Sequence, residues 1–130
     1  MAILQTDIEG RIIHLLGAAI TVNLNVVAVT NVCTPSSTWL RWLPLFMVLR
    51  NFSTGTGAVP TATVSAGSIT AAAPVDFRAA AALSGNGPSQ VFPALSTISF
   101  YTPSQSFLFA VTAGAVGTCD VAVYGVIEGG

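Results

Sequence analysis

Charged side chains are scarce in this 130-residue sequence, and lysine is absent altogether. The charged fraction is 7%, against about 25% in an average soluble domain, and the formal net charge is -1. Proteins that bind nucleic acid directly, or that attach to membranes through basic clusters, need many cations to neutralise phosphates. The composition therefore excludes both kinds of partner. An apolar fraction of 52% also excludes a disordered chain, whose signature is low hydrophobicity and high charge.

Side chains that perform chemistry are equally few. His14 is the one histidine, and nothing near it in sequence identifies an acid–base partner. Asp7 and Glu9 share one face of an extended segment, but two acids near a terminus are more often simply solvated. Cys33 and Cys119 permit one disulfide and form no CxxC motif, and in a reducing compartment we expect them to be small buried residues. We therefore predict no catalytic residues, no cofactor or metal site, and a protein that is not an enzyme.

Uninterrupted apolar runs long enough to cross a membrane are also missing, although the mean hydropathy is +0.75. A spanning helix needs about 20 consecutive apolar residues. The stretch 12–30 is interrupted by one histidine and two asparagines, and the stretch 39–49 by Arg41 and Pro44. The N-terminus lacks the basic region of an export signal, so we expect the compartment to be the cytoplasm in which the chain is made.

Alternation of apolar and polar residues predicts β-strands, most clearly where Ile20, Val22, Leu24 and Val26 are separated by Thr and Asn. The last predicted strand is apolar on both faces, as in a strand covered on two sides. With turns rich in Gly and Pro between them, the strands predict an all-β, single-domain antiparallel β-sandwich of about eight strands over residues 11–130. The predicted strands cover residues 2–8, 11–16, 20–26, 39–50, 60–66, 91–100, 105–112 and 119–127.

Two segments fall outside this pattern. Residues 1–10 are predicted to form an extended arm, whose Ile3, Leu4 and Ile8 would reach a neighbouring subunit by strand addition. The Ala-rich segment from Pro74 to Leu83 is the one helical candidate, with Asp76 as its N-cap, or else an ordered loop that crosses between sheets.

The densest apolar cluster surrounds Trp39, Trp42 and Phe46, and Arg41 and Arg50 flank it. One interpretation is a strand buried within its own sandwich. The alternative is a subunit interface, in which Trp and Arg are typical anchors and charges are depleted. A free monomer normally carries far more surface charge than this chain, and lysine normally protects exposed strand edges. We therefore expect a homo-oligomer or a component of a larger lattice.

Five features follow one another along residues 39–127. They are an aromatic-apolar strand at 39–49, a Ser/Thr/Gly turn at 53–57, the strand Pro-Thr-Ala-Thr-Val-Ser-Ala-Gly at 60–67, an Ala-rich crossing at 76–85, and a terminal strand of alternating Val and Tyr at 119–126. This order resembles small virion proteins of tailed bacteriophages of the head decoration, or cement, type.

The resemblance implies a jelly-roll-like β-sandwich that assembles, commonly as a homotrimer, on the outside of the icosahedral phage head. Such proteins clamp neighbouring major capsid subunits against internal DNA pressure and have no catalytic residues. A tail, fibre or head-completion component of the virion would share the same sandwich and differ in symmetry. A carbohydrate-binding module is a third reading, and it would require Trp39 and Trp42 to be exposed to solvent.

Overall fold

The computed structural model describes residues 13–53, 62–68, 74–83, 89–114 and 117–129. The predicted arm, residues 1–10, lies outside the described residues. Within them the chain forms eight β-strands, and no helix is present. The strands are β1 His14–Asn23, β2 Val29–Cys33, β3 Trp39–Ser53, β4 Thr63–Gly67, β5 Arg78–Ala82, β6 Ser89–Pro93, β7 Phe107–Ala113 and β8 Thr118–Gly129.

The strands form two four-stranded antiparallel sheets, in the orders β1-β8-β3-β6 and β2-β7-β4-β5. Four of the pairings, β1 with β8, β2 with β7, β3 with β6 and β4 with β5, are those of one long hairpin. Rolling that hairpin up adds the contacts of β8 with β3 and of β7 with β4, which is the strand order of a jelly roll. The predicted all-β antiparallel sandwich is confirmed.

Alternation decides which side chains enter the core between the sheets. On β8, Cys119, Val121 and Val123 point inward and are buried, and Ala122 and Val126 on the other face are buried as well. Asp120 and Tyr124 on that other face are only partly buried, so the prediction that both faces of the last strand are covered holds for only part of the strand. The largest fully buried side chains of the core are Leu16, Leu24, Trp42, Met47, Leu49, Val64, Phe77, Phe107, Phe109, Val121 and Val123.

The start of the chain differs from the prediction of separate strands at 11–16 and 20–26. One strand, β1, runs through His14–Asn23, and its register shifts between Leu16 and Ile20. Gly17 lies in this bulge with φ +77°, a left-handed conformation that glycine adopts easily. Strand β2 at Val29–Cys33 was not predicted, because it is short and its alternation is weak.

The helical candidate at Pro74 to Leu83 is wrong, because this segment contains strand β5. The backbone N–H of Phe77 donates to the carbonyl of Ala66 at 3.0 Å, and that of Leu83 donates to Ala62 at 2.9 Å. Pairing with β4 thus outweighs the helix propensity of the alanines. Strand β6 likewise ends at Pro93, so the predicted strand 91–100 is shorter than expected.

Candidate interaction surface

The outer face of the β1-β8-β3-β6 sheet carries an apolar row that crosses all four strands. Leu15 of β1 lies beside Tyr124 of β8, which lies beside Phe46 of β3, which lies beside Pro93 of β6. The rings of Phe46 and Tyr124 stack with centroids 5.1 Å apart. Leu15 is 46% exposed, although the next residue in the chain belongs to the core. This row is the centre of an apolar surface directed away from the core.

A second row extends this surface. Ala122, Val48 and Val91 are cross-strand neighbours on the same face, and Val91 is 60% exposed. We call the two rows together the apolar stripe, defined as Leu15, Phe46, Val48, Val91, Pro93, Ala122 and Tyr124. Contiguous apolar surfaces of this kind mark interaction sites, whereas single exposed apolar residues need no explanation.

A polar row borders the apolar stripe on one side. Thr21, Asp120, Arg50 and Ser89 are neighbours across the four strands. Thr21 Oγ1 donates to Asp120 Oδ1 and Asn51 Nδ2 donates to Asp120 Oδ2, both at 2.7 Å. These hydrogen bonds, with a contribution from the charge of Arg50, lower the pKa of Asp120. The border is therefore ionised at neutral pH, and its one cation and one anion cancel.

A register shift in β3 decides which aromatic residues reach this surface. Trp42 and Phe46 would share a face in a regular strand, but the register shifts between Pro44 and Phe46. Trp42 is consequently buried in the core, where its indole Nε1 donates to the carbonyl of Thr102 at 3.2 Å. Phe46 lies in the apolar stripe. Proline lacks the N–H that the ladder needs, so Pro44 is the sequence signal for this bulge.

The remaining residues predicted for an interface lie elsewhere. Trp39 is half-buried, and its ring meets the ring of Trp42 edge-on at 6.0 Å. Arg41 forms an ion pair with Glu128 and lies over the ring of Phe100, 3.9 Å from its centroid. Arg50 lies in the polar border. Ile3, Leu4 and Ile8 fall outside the described residues.

A second group of exposed apolar residues lies in the connection between β1 and β2 and at the first residue of β2. Val26, Val27 and Val29 are 51%, 65% and 52% exposed. We call these three residues the valine turn. The sequence pattern placed Val26 on the inward face of a strand through residue 26, and that prediction is wrong because β1 ends at Asn23.

Hydrogen bonds hold the backbone of this connection in place. The N–H of Asn25 donates to Asn23 Oδ1 at 2.9 Å, which forms the turn that ends β1. The N–H of Leu24 donates to the carbonyl of Gly117 at 2.9 Å, and the N–H of Val111 donates to Ala28 at 3.0 Å. Leu24 itself is fully buried. These hydrogen bonds fix the backbone of the valine turn, so the fold itself holds its three valine side chains exposed to solvent.

A polar network surrounds the carboxylate of Asp76. Its Oδ1 accepts the N–H of Ser68 at 2.7 Å, and its Oδ2 accepts the hydroxyls of Tyr101 at 2.7 Å and of Ser68 at 3.0 Å. Burial alone would raise the pKa of Asp76, but these hydrogen bonds outweigh it and lower the pKa. Burial and the bond to Asp76 raise the pKa of Tyr101. A carboxylate with a lowered pKa and three donors is a poor general base, so this network is structural.

A cavity of about 230 Å³ lies beside this network, lined by residues 97–101 together with Asp76 and Gln105. Among the residues that the structure describes, no three His, Cys, Asp or Glu side chains lie close enough together to hold a metal ion. Burial raises the pKa of Cys33 to about 11 and that of Cys119 to about 12, and both thiols are free. In the same parts of the chain, no helix has the length and apolarity to cross a bilayer.

Comparisons with known proteins give one structural match. No protein-family model and no curated protein matches the chain. A chain of the cyanophage Pam1 capsid asymmetric unit superposes with a TM-score of 0.58 at 18% sequence identity. The match covers 89% of the present chain and 85% of the cyanophage chain. The two chains are similar in fold. At this identity the likeness concerns architecture, and it extends over nearly the whole of both chains.

Proposed function

We propose that this protein is a structural, non-enzymatic component of a phage capsid. The observation that carries the proposal is the fold likeness to a chain of a cyanophage capsid over 89% of the present chain. Coverage of this extent means that the likeness involves most of the sandwich and is not confined to one hairpin. The jelly roll is also an architecture that viral capsids use widely, although lectins and other proteins share it.

Within the capsid, we propose the role of a decoration, or cement, protein that trimerises on the outside of the head and clamps neighbouring major capsid subunits. Three features support this role. The chain has too few charges for an ordinary free surface, it has no lysine to protect strand edges, and it presents the apolar stripe and the valine turn. Coverage by other subunits would account for all three features, because a covered surface needs neither charge nor lysine to stay soluble and binds its neighbours through apolar contacts.

The proposal includes the N-terminal arm. Ile3, Leu4 and Ile8 give this segment apolar side chains that would anchor a strand added to a neighbouring protein. Deletion of residues 1–9 should therefore weaken attachment to the head while the sandwich still folds. If the deletion changes neither attachment to the head nor assembly, the proposed role of the arm is refuted.

The decisive experiment uses empty shells assembled from the major capsid protein encoded in the same genome. Purified protein is mixed with the shells, the mixture is sedimented through a sucrose cushion, and the bound complex is imaged by electron cryomicroscopy. We expect many bound copies with three-fold density on the outer surface of the shell. Failure to bind, with shells that are intact and fully expanded, would refute the decoration role.

The same images separate this role from the related one in a tail, fibre or head-completion complex. Density confined to one vertex, with five-, six- or twelve-fold order, would favour that alternative. The carbohydrate-binding alternative required an exposed aromatic platform at Trp39 and Trp42. Trp42 is fully buried and Trp39 is half-buried, so these side chains do not form one, and we do not propose that function.

A further inference from the structure

The apolar stripe lies on the outer face of the β1-β8-β3-β6 sheet, whereas the valine turn follows the end of β1. Strand β1 starts beside the apolar stripe at Leu15 and ends at Asn23, immediately before the turn. The bulge between Leu16 and Ile20 shortens the span, and the partners of Leu15 and Asn23 lie six residues apart on β8, which corresponds to roughly 20 Å. The polar border of Thr21, Asp120 and Arg50 lies between the two surfaces. They are therefore separate surfaces, and one partner of small size would not cover both.

Isologous and heterologous contacts between subunits would cover different parts of these surfaces. In an isologous contact the same patch meets itself across a two-fold axis, so that the other patch stays exposed. In a heterologous contact one patch meets a different patch on the next copy, and a closed ring covers both patches on every copy. A chain with 7% charged residues has little surface charge to keep an apolar patch soluble, which favours covering both.

Charge also fits a second copy of this chain as the occupant. Residues 24–30, which include the valine turn, carry no ionisable side chain. The apolar stripe contains no Asp, Glu, Arg, Lys or His, and Arg50 and Asp120 at its border have opposite charges. Contact between the two surfaces therefore buries no unpaired charge. A strongly basic or acidic partner would find no complementary charge on either surface.

We propose that the apolar stripe of one copy packs against the valine turn of the next, so that the subunits form a closed ring. This inference rests on the proposed function, since it assigns the contact between the subunits of the decoration trimer. The hydrogen bonds of Asn25, Leu24 and Ala28 hold the turn in place before assembly. Little conformational freedom is therefore lost when the turn docks.

The test uses charged substitutions at exposed positions, where folding is least affected. Val91→Asp alters the apolar stripe, Val27→Asp alters the valine turn, and Leu40→Asp is a matched control at a 73% exposed residue outside both surfaces. Light scattering gives the mass of each protein in solution, and circular dichroism confirms that each is folded. We expect the wild-type protein and the control to be trimers. Each of the other two variants should show a roughly threefold loss of mass, to the 13.3 kDa of one chain.

Mixing the two monomeric variants tests the heterologous contact itself. The Val91→Asp protein retains its valine turn, and the Val27→Asp protein retains its apolar stripe. An equimolar mixture should therefore form one intact contact and give a heterodimer of twice the monomer mass, with no closed ring. If Val27→Asp leaves the trimer intact, or if the mixture stays monomeric, the pairing of the two surfaces is refuted.

Binding to shells separates the failure of this inference from the failure of the proposed function. A wild-type protein that is monomeric in solution but still decorates shells would overturn the inference alone. A Val91→Asp protein that remains a trimer but no longer binds shells would place the apolar stripe against the major capsid protein, which also overturns it. A trimer whose mass is unchanged by Val91→Asp, with binding intact, would mean that another segment covers the stripe, and this too overturns it. Absence of shell binding by every variant and by the wild type would refute the proposed function.

Discussion

Removal of the Asp76 carboxylate should destabilise the sandwich through the groups that depend on it. The hydroxyl of Tyr101 donates to Asp76 Oδ2 at 2.7 Å, and Tyr101 is only 3% exposed. The backbone of Tyr101 in turn pairs with that of Trp42, whose ring meets the ring of Tyr101 edge-on at 4.9 Å. Asp76 thus connects the segment before β5 to the centre of the core. In Asp76→Ala, the buried hydroxyl loses its charged acceptor, and only Ser68 or water from the adjoining cavity can take its place.

The expected magnitude follows from the number and burial of the lost hydrogen bonds. A hydrogen bond to a charged group contributes about 1.5–3 kcal/mol when buried, and less where water replaces it. Asp76 is half-buried, so water compensates in part for the two donors of Ser68, whereas the hydroxyl of Tyr101 loses a charged acceptor that the neutral Ser68 hydroxyl or water replaces less well. We expect Asp76→Ala to lower the free energy of unfolding by about 3 kcal/mol, and Tyr101→Phe to lower it by about 1.5 kcal/mol. Once Asp76 is replaced, the hydroxyl of Tyr101 has no carboxylate bond left to lose, so adding Tyr101→Phe should cost nothing further, which corresponds to a coupling of about 1.5 kcal/mol.

Urea unfolding followed by tryptophan fluorescence measures this cycle, because Trp42 lies against Tyr101. Protein concentration must be held constant, since assembly makes apparent stability depend on it. Asp120→Ala is the matched control, because Asp120 also accepts two side-chain hydrogen bonds but lies at the surface; its loss should be clearly smaller. Additive effects of Asp76→Ala and Tyr101→Phe, to within about 0.5 kcal/mol, would refute the proposed dependence of Tyr101 on Asp76.

Three further predictions concern acid, thiol chemistry and close packing. Because folding lowers the pKa of Asp76 below the usual value near 3.9, its contribution to stability is present above about pH 4 and is lost as the pH falls through the folded-state pKa. Urea midpoints from pH 6 to 2.5 should therefore fall more steeply for the wild type than for Asp76→Asn, and parallel curves would contradict this. Cys33 and Cys119 are buried with raised pKa values, so neither should react with a disulfide reagent at pH 8 until the protein is unfolded; rapid labelling of the native protein would be the contrary result. A Cβ at Gly125 would lie 2.0 Å from the carbonyl oxygen of Leu43, so Gly125→Ala should cost at least about 2 kcal/mol in urea unfolding, and wild-type stability would show that β3 and β8 can separate freely.

Sequence reasoning succeeded where burial alone determines the pattern. Strand β8 was predicted within two residues of its observed ends, and its two apolar faces follow from its central place between β1 and β3. Strand β3 was also predicted, because its aromatic and aliphatic residues are too dense for a loop. Both strands are central in their sheet, with a paired strand on each side and the second sheet against one face. Few of their positions can therefore hold polar side chains, and the local sequence is enough to predict a strand.

Elements that depend on distant partners were missed. The alanines of β5 favour a helix by themselves, and only the backbone of β4 makes them a strand. Asp76 resembles a helix cap, but its partners Ser68 and Tyr101 come from other parts of the chain. The interface prediction failed to separate Trp42 from Phe46 for a related reason, because a bulge after Pro44 reverses the alternation of β3. A proline inside a predicted central strand is the signal that would have located this reversal.

The way this protein uses its few charges supports an apolar mechanism of assembly. The described carboxylates are engaged locally, since Glu128 pairs with Arg41, Asp120 is held by Thr21 and Asn51, and Asp76 belongs to its own network. Charges that are satisfied within one subunit contribute little to steering or holding another, and exposed ion pairs contribute little in any case. What the sandwich offers a neighbour is therefore apolar surface together with uncharged Ser, Thr and Asn. Subunits joined in this way would be little affected by salt, because screening weakens charge contacts and leaves apolar burial intact. Contacts of this kind would suit the proposed capsid role, because their strength does not depend on ionic strength.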